Sequence, residues 1–223
     1  MILYTSLTST YGFRIRLALA LKQVDAEIHP PPDGYRSVAF KKIFPTGLVP
    51  VLQDGDLVLG EADVIAQYLD ETYPTPPLLP GTPAERALAR LLSRYHDLYL
   101  EPALKPSFPL LPQPVRDPAA IAAVEKELNG RLAEIELLAR PDPFLAGSAL
   151  SLADLAYPST LAAAEVVAGA LGMTLTPGPI LTKWRAEIER HPVVGPMIAD
   201  YRAMLDKWLA ARLAGQSPAS IKA

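Results

Sequence analysis

The residues whose types and spacing hold most chemistry are Gly47-Leu48-Val49-Pro50-Val51-Leu52 and, one hairpin later, Gly60-Glu61-Ala62-Asp63. Proline has no N–H for a sheet ladder, so Pro50 fits the first residue of a strand or an edge. An X-Pro bond is also the one most open to the cis form, and the residue before it is held extended. Val49 can then offer its N–H and C=O to an outside peptide, as a sheet edge does in strand addition. Glu61 opens a helix, where unpaired N–H groups attract a carboxylate. Together these features fit a small zwitterionic peptide: backbone on backbone, carboxylate on the helix end, ammonium on Glu61.

The elements that must position these residues are short and mixed. Ile2 to Thr5 reads as a strand, and Tyr11 to Lys22, with its run of Phe, Ile, Leu and Ala, as a largely buried helix. Ala26 to His29 reads as a second strand, and Pro30-Pro31-Pro32-Asp33-Gly34 as a loop. A short helix is expected near Ser37 to Lys42. Val51-Leu52 and Leu57-Val58-Leu59 flank Asp54-Gly55, a hairpin turn signal. Glu61 to Thr72 carries Val64, Ile65, Tyr68 and Leu69 at helical spacing. One small sheet with helices packed on it follows from this order.

Proline and glycine then crowd residues 74–83, which cannot form a packed element and read as a linker. Beyond it the pattern is helical throughout, over Ala84 to about Glu101, Pro118 to Ala139, Ser151 to Leu171, Ile180 to Arg190 and Val193 to Leu213. The prolines at 102, 106, 109, 112, 114 and 118 predict an extended, stiff connection between the first two helices. The expected organisation is an α/β domain over 1–77 and an all-α domain over 84–223.

Composition narrows the function classes. Of 223 residues, 50% are hydrophobic and 20% charged, enough for a real core. The net charge of −3 lacks the basic face of a nucleic-acid binder. With no cysteine the protein itself has no disulfide, thiolate metal site or Cys nucleophile. His29, His96 and His191 lie far apart, so no metal site is expected. The chain start lacks signal-peptide character and no apolar run is long enough for a membrane span. A soluble cytoplasmic protein, with no membrane or nucleic-acid partner, is the expectation.

The chain resembles the cytosolic glutathione transferase superfamily, and the start is most similar to zeta-type and related bacterial serine-type members. The resemblance rests on Leu3-Tyr4, Ser9-Thr10-Tyr11, Arg14 to Leu19, the Val49-Pro50 turn, Glu61 with Ile65, Tyr68 and Leu69, and Phe144-Leu145-Ala146-Gly147 with Ser151-Leu152-Ala153-Asp154. Ser151 and Asp154 look like an Asp variant of the helix capping box. The resemblance implies a thioredoxin-like N-terminal domain, an all-helical C-terminal domain, and a homodimer with active sites in clefts between domains.

It also implies glutathione as cosubstrate and a detoxifying transferase or isomerase. By the match to the family's Ser-Ser-Cys motif, Ser9 is the candidate hydroxyl for holding the glutathione thiolate, with Thr10 and Tyr11 as backups and Tyr4 a poorer match. Val49, Pro50, Glu61, Ala62 and Asp63 would hold glutathione, and Tyr95, His96 and Tyr99 would line the acceptor pocket. Plainer readings stand beside these. N-capping alone accounts for Ser9 or Thr10, and aromatic residues at helical spacing commonly belong to the core. Arg86, Arg90 and Arg94 form a basic stripe that reads as a solvated face or a dimer contact.

The chain departs from the family at three places, one being Phe44-Pro45 where the family has an Asn-Pro pair, and at the other two a side-chain grip is lost. Ala62 stands where a Ser hydroxyl usually grips the γ-glutamyl carboxylate, and Leu48 where a Lys or Gln often meets the glycyl carboxylate. These losses favour a second reading, a non-catalytic protein of the same fold that binds and regulates a protein partner.

Overall fold

The computed structural model describes residues 1–215, and the chain divides into two compact units, Met1–Leu78 and a second from Leu79 onward. The first unit contains β1 (Ile2–Tyr4), α1 (Thr10–Lys22), β2 (Glu27–His29), α2 (Val38–Ile43), β3 (Val51–Asp54), β4 (Leu57–Gly60) and α3 (Ala62–Thr72). The strands form one sheet in the order β2-β1-β3-β4, with β1 parallel to β2 and antiparallel to β3, and β3 antiparallel to β4. Leu3, Leu52, Phe13, Ile15, Leu17, Ile65 and Leu69 are buried between the sheet and its helices.

Gly12 sits in the first turn of α1 because a side chain there has no room: a Cβ would fall 1.8 Å from Thr5 Oγ1. At the far end of α1, Lys22 is almost wholly buried. Its ammonium donates to Asp70 Oδ1 at 2.8 Å and to the carbonyls of Tyr73 at 2.6 Å and Pro76 at 2.8 Å. A buried ammonium is tolerated when its donors are all used. Here that requirement pins the chain as it leaves α3.

The second unit is helical among its described residues: α4 (Pro83–Tyr95), α5 (Glu101–Leu104), α6 (Pro118–Leu138), α7 (Leu152–Leu171), α8 (Pro179–Ile188) and α9 (Val194–Leu213). A π-helical turn at His96–Leu100 joins α4 to α5, and a 3-10 segment at Lys105–Leu110 follows. The extended connection expected from the prolines is therefore corrected for residues 101–110, which coil. Glu101 N–H reaches back five residues to His96 C=O, widening the helix just before Pro102, which has no N–H to give. Pro106 then opens the tighter 3-10 segment. Among the described residues no helix is long and apolar enough to cross a membrane.

The capping box lies at the centre of this unit. Asp154 is fully buried, and its carboxylate accepts from Leu145 N–H (2.9 Å), Ser151 N–H (2.8 Å), Ser151 O–H (2.8 Å) and Trp184 Nε1–H (2.7 Å). One side chain thus ties the segment before α7, the start of α7 and α8. Burial pushes the Asp154 carboxyl above its usual range while the four donors pull it down.

Asp154→Asn keeps the shape but turns an NH2 towards donors, so it should lower unfolding free energy by about 2–4 kcal/mol. The midpoint of urea denaturation measures this, and an unchanged midpoint would remove Asp154 from its central place.

Candidate functional site

Strand register assembles the site. Tyr4 lies opposite Val51 across β1 and β3, and Val51 lies opposite Gly60 across β3 and β4. The chain therefore leaves β1, enters β3 and leaves β4 at one end of the sheet. Ser9 follows the first of these points, Val49-Pro50 precedes the second, and Glu61 follows the third.

Ser9 is the N-cap of α1, with φ −69 and ψ 122, and its Oγ accepts from Gly12 N–H at 3.0 Å. The capping reading is thus correct for Ser9. It does not compete with the other role, because the cap uses a lone pair and leaves the O–H proton to be donated. Ser9 is half-buried, whereas Thr10 is buried. The Tyr11 ring lies under the Arg14 guanidinium, 5.7 Å from ring centroid to Cζ. Tyr4 donates its hydroxyl to Gln53 Oε1 at 3.3 Å and packs its ring against His29 and Phe40, so it is engaged within the sheet.

The Val49-Pro50 bond is cis. Pro50 is buried, Val49 is half-buried, and neither the N–H nor the C=O of Val49 has a hydrogen-bond partner among the described residues. β3 is paired on both sides, so this unpartnered backbone pair lies just beyond the ladder at the strand's end, where an extended peptide can still pair with it. Leu48 is 44% exposed and offers no polar group, as the sequence indicates. A cation that sequence spacing did not reveal lies nearby. The Lys41 side chain runs over Gly47, where an added Cβ would meet Lys41 Cγ at 3.1 Å. Lys41 belongs to α2, and the turn after that helix folds Gly47, the residue before Leu48, back beneath its side chain.

Glu61 holds φ +64 and ψ 112, a backbone conformation that disfavours any residue with a Cβ. Its carbonyl starts α3 by accepting Ile65 N–H at 2.9 Å, while its exposed carboxylate caps nothing. Ala62 and Asp63 form the first turn of α3, whose leading N–H groups have no partner within the helix. The Asp63 carboxylate is turned inward, accepting from Gln67 Nε2 at 2.7 Å and lying 4.0 Å from the buried Arg14. Of the two arginines on α1, Arg14 thus faces a carboxylate, and Arg16 donates to Leu7 C=O at 2.7 Å.

The expected acceptor-pocket residues are corrected in part. His96 is wholly buried, with Nε2 2.7 Å from Thr160 Oγ1 and Nδ1 2.9 Å from Asp97 Oδ1, and Thr160 donates on to Glu101 at 2.7 Å. It ties the π turn to α7, and its ring is enclosed rather than exposed. Tyr95 is buried as well, and its hydroxyl donates to Glu134. Burial first, then that bond, holds the phenol well above its usual range. Tyr99, 46% exposed, stacks against Tyr95 and lines a cleft of about 310 Å³ with Leu98, Pro102 and Val124.

A four-stranded mixed sheet with a cis-proline entering β3, followed by an all-helical unit, defines a thioredoxin-like domain joined to a helical domain. Residues 3–77 match the family model for the glutathione S-transferase N-terminal domain, and residues 95–192 that for the C-terminal domain. The chain belongs to the cytosolic glutathione transferase superfamily. It is similar to glutathione S-transferase Z1 of Arabidopsis thaliana, 47% identical over 90 residues, 39% of this chain and 40% of that one. It is also 41% identical over 92 residues to a stringent starvation protein A homolog of Coxiella burnetii (41% of this chain, 44% of the relative). A probable maleylacetoacetate isomerase of Vibrio cholerae is 39% identical over 98 residues (42% and 46%). The chain thus spans under half the length of these curated relatives. Among solved structures, the Tau class glutathione S-transferase of mango, Mangifera indica, superposes with a TM-score of 0.76 at 27% identity, covering 93% of this chain and 97% of that one.

The Glu61 backbone makes a testable statement about strain. Glu61→Gly should be more stable than Glu61→Ala by about 1–2 kcal/mol, because only glycine adopts this φ without penalty. Equal denaturation midpoints for the two variants would show that position 61 carries no strain.

Proposed function

We propose that this chain is a glutathione-dependent transferase or isomerase acting on a small, hydrophobic, electrophilic substrate. The observation that supports this most is the convergence of Ser9, the unpartnered Val49 backbone and the strained Glu61 at one end of the sheet. Backbone strain held at a residue whose carboxylate caps nothing supports a binding role for that side chain.

In this reading Val49 pairs with the cysteinyl backbone of glutathione, with Pro50 fixing the turn. Glu61 holds the γ-glutamyl ammonium, and the N–H groups of Ala62 and Asp63 hold its carboxylate at the α3 N-terminus. Ser9 donates its free O–H to the sulfur. A cysteine thiol titrates near 8.5, and lowering it by two units takes roughly 2.7 kcal/mol. One charge-assisted hydrogen bond plus the N-terminus of α1 supplies a stabilisation of that order. The thiolate then attacks an electrophilic carbon, or adds to and leaves a conjugated dienoic acid during isomerisation. Lys41 supplies the charge for the glycyl carboxylate that Leu48 cannot. The absent hydroxyl at Ala62 weakens binding by about 1.5–3 kcal/mol.

The exposed Leu91 and Leu98 beside Arg90 and Arg94 on α4 and the π turn support a homodimer as the assembly. Ser9 keeps a hydroxyl proton beyond its capping role and the Glu61 carboxylate caps nothing, which favours the enzyme over a purely regulatory protein of this fold.

Immobilised glutathione should retain the protein, and no retention at millimolar ligand would sink the proposal. Ser9→Ala should cut conjugating turnover by about 10²–10³-fold with glutathione affinity within a fewfold. Unchanged turnover would pass the role to Thr10 or Tyr11. Lys41→Met should weaken glutathione binding by about tenfold, close to 1.4 kcal/mol, in calorimetric titration. No change would leave the glycyl carboxylate without a protein cation.

A further inference from the structure

The loop between β2 and α2, residues 30–37, is bonded to both arms of the candidate site through two consecutive residues. The Tyr35 hydroxyl donates to Ser6 Oγ at 2.6 Å. Ser6 in turn accepts, through its carbonyl, the Ser9 N–H at 3.1 Å, and Ser9 caps α1. One residue on, Arg36 N–H donates to Gly47 C=O at 2.8 Å, two residues before Val49.

The loop is shaped for these contacts. Asp33, Gly34 and Arg36 all have positive φ, at 54°, 88° and 59°. Ser37 closes the loop by donating to Pro32 C=O at 2.6 Å while accepting Phe40 N–H at 2.9 Å as the cap of α2. The approach to the second arm is close: a Cβ on Gly47, itself at φ +61, would fall 2.7 Å from Arg36 Cα. Nothing in the hydrophobic core requires Tyr35, which is 47% exposed.

We propose that this loop is a strap: Tyr35, acting through Ser6, positions Ser9, while Arg36, acting through Gly47, positions Val49, so that the thiol donor and the peptide-pairing edge are held in register. Tyr35 and Ser6 are positioning residues, and neither touches the reacting atoms. The proposal rests on the functional reading given above, since it assigns the strap to the glutathione site. A strap of this kind also makes α2, which carries Lys41, part of the same mechanical unit as the thiol donor.

The test uses Tyr35→Phe, Ser6→Ala, the double variant and Ser6→Thr, which keeps a hydroxyl. Tryptic cleavage after Arg36 in the full chain reports loop opening with no ligand present. Each single variant should be cut threefold to tenfold faster than wild type, the double variant no faster than either single, and Ser6→Thr near wild type. In the glutathione complex, both single variants should lose threefold to tenfold in kcat with KM for glutathione changed less than twofold. The thiol should titrate at higher pH in the ultraviolet thiolate band. Wild-type cleavage and kcat in Tyr35→Phe would overturn the strap, as would fully additive effects in the double variant. If the wild-type protein binds no glutathione, the functional reading fails, and the cleavage rates still decide whether the strap exists.

Discussion

The first unit depends on a constraint no single residue carries: the antiparallel registers that set Tyr4 against Val51 and Val51 against Gly60. Side chains on a strand alternate with period two, so a one-residue slip would turn the buried Leu3 and Leu52 outward and move each strand end. The core therefore fixes the register, and the register fixes where three chain segments meet. Ser9, Val49 and Glu61 belong to different loops, and their convergence is a by-product of burying the sheet.

Close backbone approaches sharpen that coarse placement. Gly12 lets α1 settle on Thr5, and Gly47 lets the β2–α2 loop reach the segment leading to Pro50. Both glycines exist for lack of space, and only Gly47 also needs its positive φ. Glu61 differs, since it holds an unfavourable backbone with a side chain that a glycine could replace structurally. The fold tolerates an unfavourable backbone at Glu61 and uses glycine at Gly47, where a side chain would also collide with Arg36.

The helical unit solves another problem, that of burying polar groups. Asp154 meets four donors, and His96 sits in a chain of hydrogen bonds from Asp97 through Thr160 to Glu101. Such networks are tolerated only when their members are satisfied, and they then specify one packing. They also explain how α4 continues towards a proline-rich stretch. The π turn supplies the extra residue that Pro102 requires, and His96 locks that turn to α7.

Much of this was legible in the sequence. Strand and helix order, the Pro50 turn and the Asp154 capping box follow from local rules: proline lacks an N–H, short polar side chains cap helices, and apolar residues repeat with the period of their element. What local rules could not reach was decided by chain segments far apart in sequence. Periodicity marks His96 and Tyr95 as facing something, but not whether that is a cleft or the core. The prolines after Glu101 forbid a regular α-helix, yet whether the chain then extends or coils depends on what packs beside it. The bond from Tyr35 to Ser6 joins residues that share no local pattern. The sequence by itself determined the elements and their order, because those are set within a few residues; only the tertiary structure decided which side chains meet, because that depends on how the whole core closes.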